Sequence, residues 1–264
     1  VTGEHYNCVE SLAFQNLRIE YSTLVSWVGQ PLVDEDGFTR DAGSQTVQVK
    51  PPIKGRMYQR EGLVLNLHYS ACWEMKGRGM ALDIHPGAHI GLHWDSPRPL
   101  ADTLEVVQRL RDFLAFATGL PTHIESIDAK PVRFTWIGHA HDMLLFHRSL
   151  AGPKARGEAP FPLFSLEDII SDLERVVSAW FEKAARLQPV IDLHLAPVYN
   201  PQMQPENQLL AAVQALEALY RRTRENRELP EDEHAARMTE ILAGVPDQHR
   251  KWLQGRLAYS NEPS

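Results

Sequence analysis

With 264 residues the chain has room for one large domain or two ordinary ones, and for a well-buried core. Apolar residues make up 43% and charged residues 23%, and no apolar run approaches the ~18 residues of a spanning helix, so neither a disordered chain nor a membrane protein fits. A net charge of −7 argues against coating nucleic acid through bulk charge, while leaving a local basic patch open.

Only Cys8 and Cys72 occur, which speaks against a disulfide-stapled scaffold or a thiolate zinc cluster and makes a reduced, cytoplasmic setting the default. The chain begins with Val rather than Met, and Glu4, His5, Asn7 and Glu10 break any leader pattern, so it reads as a fragment or a processed product.

In chain order, Leu17–Tyr21 alternates as a strand. The stretch Asp34–Lys54, rich in Gly, Asp and Pro, is expected to hold loops. Leu63–Tyr69 and Gly79–Ile84 read as a hairpin about the Gly77-Arg78-Gly79 turn, with a third strand at His89–Trp94 and a further pair at Thr122–Ile127 and Val132–Ile137. One helix interrupts them. Leu104, Val107, Leu110, Leu114 and Ala117 recur at helical spacing, with Asp102 as its expected cap and Gly119 and Pro121 as its stop.

The grammar changes near residue 160. Gly152–Pro162 reads as a linker, and Ser165-Leu166-Glu167-Asp168 has the form of a capping box. The helix it opens carries Ile169, Leu173, Val176, Val177, Trp180, Phe181 and Ala184 on one stripe, and Pro189 is expected to end it. A second helix starts at Pro205, with Leu209, Leu210, Val213, Leu216, Leu219 and Tyr220 as its apolar face. Two shorter ones come after it at about 231–243 and 246–258. The pattern predicts an α+β chain: a β-rich N-terminal domain with one inserted helix over residues 1–160, then an all-α part over 161–264.

Twelve histidines invite a metal reading. His89 and His93 share a face if their segment is a strand, as do His139 and His141, and a hydrolase built on His85, His89, His93, His139 and His141 is one possible chemistry. Without a supporting carboxylate motif, the commoner outcome is strand histidines with local partners, and neither metal nor cofactor is expected. No phosphate loop, nucleophile elbow, His-Glu-x-x-His or paired Cys motif occurs. Trp27, Trp73, Trp94 and Trp136 are most simply core or sheet-face residues, although an exposed aromatic cluster in the first domain would suit a binding module.

The densest basic run is Arg221, Arg222, Arg224 and Arg227. It either complements a helix C-terminus as a solvated face or contacts RNA phosphates. Glu217, Tyr220, Arg221 and Arg224 lie on neighbouring turns and could line one cleft; equally, Glu217 could simply pair with Arg221.

The run from Val198-Tyr199-Asn200-Pro201 through Gln214-Ala215-Leu216-Glu217 to Arg222 resembles the opening of the HEPN domain in ApeA-type anti-phage, abortive-infection proteins. The Phe164–Phe181 segment with Trp180 is similar to that family's connecting helix, and Tyr21–Trp27 to its short N-terminal Trp motif. The resemblance implies a β-rich N-terminal domain that senses a phage trigger or restrains a toxin-like HEPN ribonuclease. It also implies RNA, tRNA foremost, as substrate of the intact protein, and a homodimer or higher homo-oligomer formed through the helical part.

HEPN nucleases resemble one another in an Arg and a His with four to six residues between them, the His serving as acid or base at the 2′-hydroxyl. Arg133 with His139 falls in the β-rich part, and Arg227 with His234 straddles Pro230, so neither pair presents one helical face. No catalytic residue is therefore expected in this chain, which is predicted inactive by itself; the family's motif would lie after Ser264.

Overall fold

The computed structural model describes residues 12–41, 44–76, 81–131, 135–136, 139–140, 143–145, 162–224, 227–257 and 260–261. The described strands are β1 (Ala13–Tyr21), β2 (Val33–Asp41), β3 (Ser44–Val49), β4 (Ile53–Arg60), β5 (Leu63–Lys76), β6 (Ala81–Pro99), β7 (Ile124–Pro131) and the short β8 (Thr135–Trp136), β9 (His139–Ala140) and β10 (Met143–Leu144). The helices are α1 (Leu24–Val28), α2 (Leu100–Thr118), α3 (Leu166–Ile169), α4 (Leu173–Tyr199), α5 (Pro205–Thr223), α6 (Glu231–Ala243) and α7 (Asp247–Arg256). An N-terminal antiparallel sheet followed by helices makes the chain α+β, as the sequence pattern predicts.

Six strands form the main sheet in the order β10-β7-β1-β6-β5-β4. Its pleat sorts side chains by parity. Leu17, Ile19, Leu65, Leu67, Ile90, Leu92 and Ile127 point to a face covered by helices, where Val107, Leu110, Phe113 and Leu114 of α2 are buried with them. Trp27 of α1 meets Phe113 edge-on at 5.7 Å between ring centres, and Phe113 meets Trp180 of α4 in the same way at 5.7 Å. Three hydrogen bonds tie sheet, helix and connector together. Tyr21 Oη donates to Val107 O at 2.9 Å, Trp180 Nε1 to Arg109 O at 3.0 Å, and Tyr199 Oη to Thr122 O at 3.1 Å.

Several local expectations are corrected. Asp34–Lys54 is not loop, because β2 and β3 pair antiparallel there. The strand expected at His89–Trp94 is continuous with the one at Gly79–Ile84. Pro86 and Gly87 do not interrupt β6, since their partners Ala71 and Ser70 keep the ladder in register. β4 and the helix α1 have no counterpart in the sequence reading. β4 turns into β5 through Glu61 and Gly62, both at positive φ (53° and 77°), a hairpin turn whose Glu lacks the usual Asn or Asp signature.

Asp102 does not cap α2. The helix begins at Leu100 after Pro99, leaving Asp102 in the first turn, where its charge still complements the dipole. Gly119, at φ 67°, closes the same helix in the left-handed conformation that glycine adopts freely. The expected linker at 152–162 lies outside the described residues except at its last position.

The capping box at Ser165 forms: Ser165 Oγ accepts from the Asp168 amide while the Asp168 carboxylate accepts from the Ser165 amide. The helical stretch beyond it departs from expectation. α3 is one turn, a 3₁₀ turn spans Ile170–Asp172, and α4 then runs 27 residues straight through Pro189 and Pro197. Proline removes one ladder bond and crowds the preceding turn. Burial of Ala184, Ile191 and Leu195 on either side holds the helix together against that cost. α4 is therefore one rod. Its first half packs in the sheet core through Leu173, Val177 and Phe181, and its second half carries α5.

Candidate functional site

The residues singled out on the second long helix lie together. Glu217, Tyr220, Arg221 and Arg224 fall within about one third of the helical circumference at the C-terminal end of α5. Glu217 pairs with Arg221 at 3.0 Å, and the Arg224 guanidinium sits 5.2 Å from the Tyr220 ring centre. All four are exposed, so each charge keeps its hydration and the pair itself contributes little to stability.

The apolar face of α5 is a second correction. Leu209, Leu210, Val213, Leu216 and Tyr220 do not point into a core. Leu209 is 68% exposed and Leu216 66% exposed, and it is Ala211 and Ala215 that bury against α4. Small residues face α4, so α4 and α5 pack closely, while the larger apolar side chains form a solvent-facing stripe alongside Glu217 and Arg221. α6 and α7 pack on each other and bury no residue.

Of the formal Arg–His pairs, Arg227 and His234 engage separate partners. Arg133 lies outside the described residues. Arg227 donates to Glu231 at 2.7 Å, whereas His234 engages Ser260 Oγ at 3.0 Å.

Among the described metal candidates, His89 and His93 have local partners. His89 and His93 do share one face of β6, but His89 stacks on His68 of β5 at 4.7 Å, and His93 Nδ1 lies 2.5 Å from Asn16 Oδ1. Partial burial, then the Arg18 charge and His68, hold the His89 imidazolium back, moving its pKa down to about 4. Burial and Lys54 lower His68 in the same direction. The side chain of His139 and all of His141 lie outside what the structure describes. Among the described residues, no three His, Cys, Asp or Glu side chains converge as metal ligands.

The tryptophans divide. Trp27 and Trp94 are buried, whereas Trp73 stands exposed, contrary to a core role; the side chain of Trp136 is outside the described set.

One feature absent from the sequence reading is a cleft of about 290 Å³ where the β4–β5 turn, β6, α2 and α4 meet. Tyr58, Leu63, Trp94 and Phe181 form its apolar floor, and Arg60, Arg98 and Arg109 stand at its rim. The rim is already largely paired: Arg60 bonds Glu182 of α4, Arg109 bonds Glu105, and Arg98 lies over Trp94 at 5.5 Å. Arg56 reaches Glu174 at 3.2 Å, so two ion pairs span from β4 to α4 beside this cleft. Its residues come from five separate elements, and no local spacing announces them.

Comparison with known families decides what frame these features belong to. Residues 1–180 match the family model of ApeA N-terminal domain 1. The chain belongs to the ApeA family. Residues 210–264 match the Apea-like HEPN model, so the ApeA N-terminal domain runs from the sheet through the first turns of α4, and the HEPN match covers most of α5, α6 and α7. The two matches together support an anti-phage defence protein with a HEPN nuclease domain. No curated protein and no solved structure matches the chain. Among the described residues, no helix is long and apolar enough to cross a membrane.

Proposed function

We propose that this ApeA-family chain is the sensing and regulatory part of an abortive-infection ribonuclease, acting in the bacterial cytoplasm. In this reading its sheet domain answers a phage-encoded trigger and restrains HEPN-mediated cleavage of RNA, tRNA foremost. The observation that carries the reading is the joining of an ApeA N-terminal domain and a HEPN segment on one chain, with α4 rooted in the sheet core at one end and bearing α5 at the other. A rigid connector of that kind gives a ligand on the sheet domain a physical route to the nuclease segment.

The apolar stripe of α5 supports assembly through the helical part. Five exposed apolar side chains in one row offer roughly 500 Å² per copy, so two copies meeting there would bury roughly 1,000 Å², near the lower bound for a specific interface. Glu217 and Arg221 would then rim the shared cleft, with Tyr220 in the contact and Arg224 facing the RNA backbone.

No Arg–His pair in this sequence presents the nuclease motif on one helix, so the 264-residue chain is expected not to cleave RNA, whereas a longer version carrying that motif cleaves tRNA. Incubating both with purified tRNA, with and without chelator, checks this. Metal-independent cleavage by the 264-residue chain alone refutes it. In the longer version, Glu217→Gln and Arg221→Ala should each slow cleavage about tenfold or more; unchanged rates return both residues to a plain surface pair.

A further inference from the structure

Beyond the end of β4, the β5–β6 hairpin runs on as an arm. β4 pairs with β5 only as far as Tyr69, and β1 pairs with β6 over Ile90–His93 and again at Arg98–Pro99. Among the described residues, Ser70–Lys76 and Ala81–Gly87 therefore pair only with each other. The arm keeps the pleat of the sheet. Trp73 and Met75 continue the row Leu63, Leu65, Leu67, Tyr69, and their partners Ile84 and Leu82 continue the row Trp94, Leu92, Ile90.

These are the rows that α1, α2 and α4 cover in the body of the domain. On the arm nothing described covers them: Trp73 is 73% exposed, Met75 66% and Leu82 57%. The charges sit on the opposite face, where Lys76 donates to Asp83 at 2.7 Å with Glu74 alongside. The arm is thus two-sided: one face is solvated by an ion-pair cluster, and the other is uncharged and apolar.

We propose that the apolar face of this arm packs against the same face of a second copy of the chain. An isologous contact must tolerate itself, and a face whose described residues carry no charge meets its own image with no like-charge penalty among them, which a surface bearing Glu74 or Lys76 would not. The area sets the strength. The exposed side chains offer roughly 400 Å² per copy, or roughly 800 Å² between two, short of the ~1,200 Å² of standard stable interfaces, so the pairing is weak and driven by concentration. It becomes effective where copies are already tethered, because a second contact within an assembly is intramolecular.

The proposal does not rest on the nuclease reading, and its test separates the two. Sedimentation equilibrium is run on the whole chain carrying Leu209→Asp and Leu216→Asp, which removes any contact through α5, from about 5 to about 500 µM, a range spanning micromolar affinity. The expected result is a mass that climbs from one chain towards two, and Trp73→Asp with Met75→Lys should hold it at one chain throughout. Those side chains are mostly solvated in the single chain, so the thermal midpoint should not fall. Glu74→Gln, on the polar face, should leave the association unchanged. A single-chain mass at every concentration in the α5 variant, or association that survives Trp73→Asp with Met75→Lys, overturns the proposal; in the first case the α5 contact and the nuclease reading are untouched.

Discussion

The sheet domain and the α5–α7 segment both carry rows of large apolar side chains yet spend them in opposite ways. In the first, Trp27, Phe14, Leu65, Ile90 and Leu110 are fully buried and interlocked across β1, β5, β6, α1 and α2. In the second, Leu209, Val213, Leu216 and Trp252 face solvent, and among the described residues only Ala211 and Ala215 are enclosed. α5 thus turns its alanines to α4 and its large apolar residues to solvent. Hydrophobicity alone therefore does not mark the core of this chain; which residues are enclosed does.

The contrast is easiest to break at its strongest point. Trp27→Ala should cost about 3–5 kcal/mol, because it opens a cavity beside Phe113 where no side chain can collapse inward. Leu216→Ala should change the stability of the single chain by less than about 0.5 kcal/mol, since it removes surface that water already covers. Chemical denaturation of both variants measures the gap, and equal losses would mean that the α5 stripe is enclosed in solution.

A smaller effect concerns the histidine pair on the open face of the sheet. The His89 pKa is lowered in the folded chain, so the unfolded chain binds the proton more readily. Stability is full above the ordinary imidazole value and falls as pH drops from about 6.5 towards 4. Because both rings are partly exposed, solvent screening limits the loss to about 1 kcal/mol. His89→Gln should flatten that part of the pH–stability curve, and a curve unchanged by the substitution would show that other groups set the acid limb.

Smallest of all, Arg56→Ala and Arg60→Ala each remove an exposed ion pair between β4 and α4 and should cost about 0.5 kcal/mol, less at high salt. A much larger loss would mean that the arginines brace the connector rather than decorate it.

Local rules served well where the signal was local. The capping box at Ser165, the stop at Gly119, the Pro205 start and the period of α2 are each decided within a few residues, and each stands in the structure. Pro189 misled for the opposite reason: its penalty is local, but the burial that outweighs it is not. β4 escaped notice because Ile53–Arg60 alternates weakly and becomes a strand only by pairing with β5. Of the candidate site, the grouping of Glu217, Tyr220, Arg221 and Arg224 comes from helical spacing, whereas the cleft beside Arg60 and Arg98 joins residues from five elements and had no sequence signal.

The sequence by itself determined period and punctuation: where the chain coils, where it alternates, and the resemblance carried by its helical run. Only the tertiary structure decided which apolar rows find a cover. The same alternation runs from Leu63 to Met75 along β5, but helices lie over its first half and end before its second, and a strand's own pattern carries no information about how far its neighbours extend.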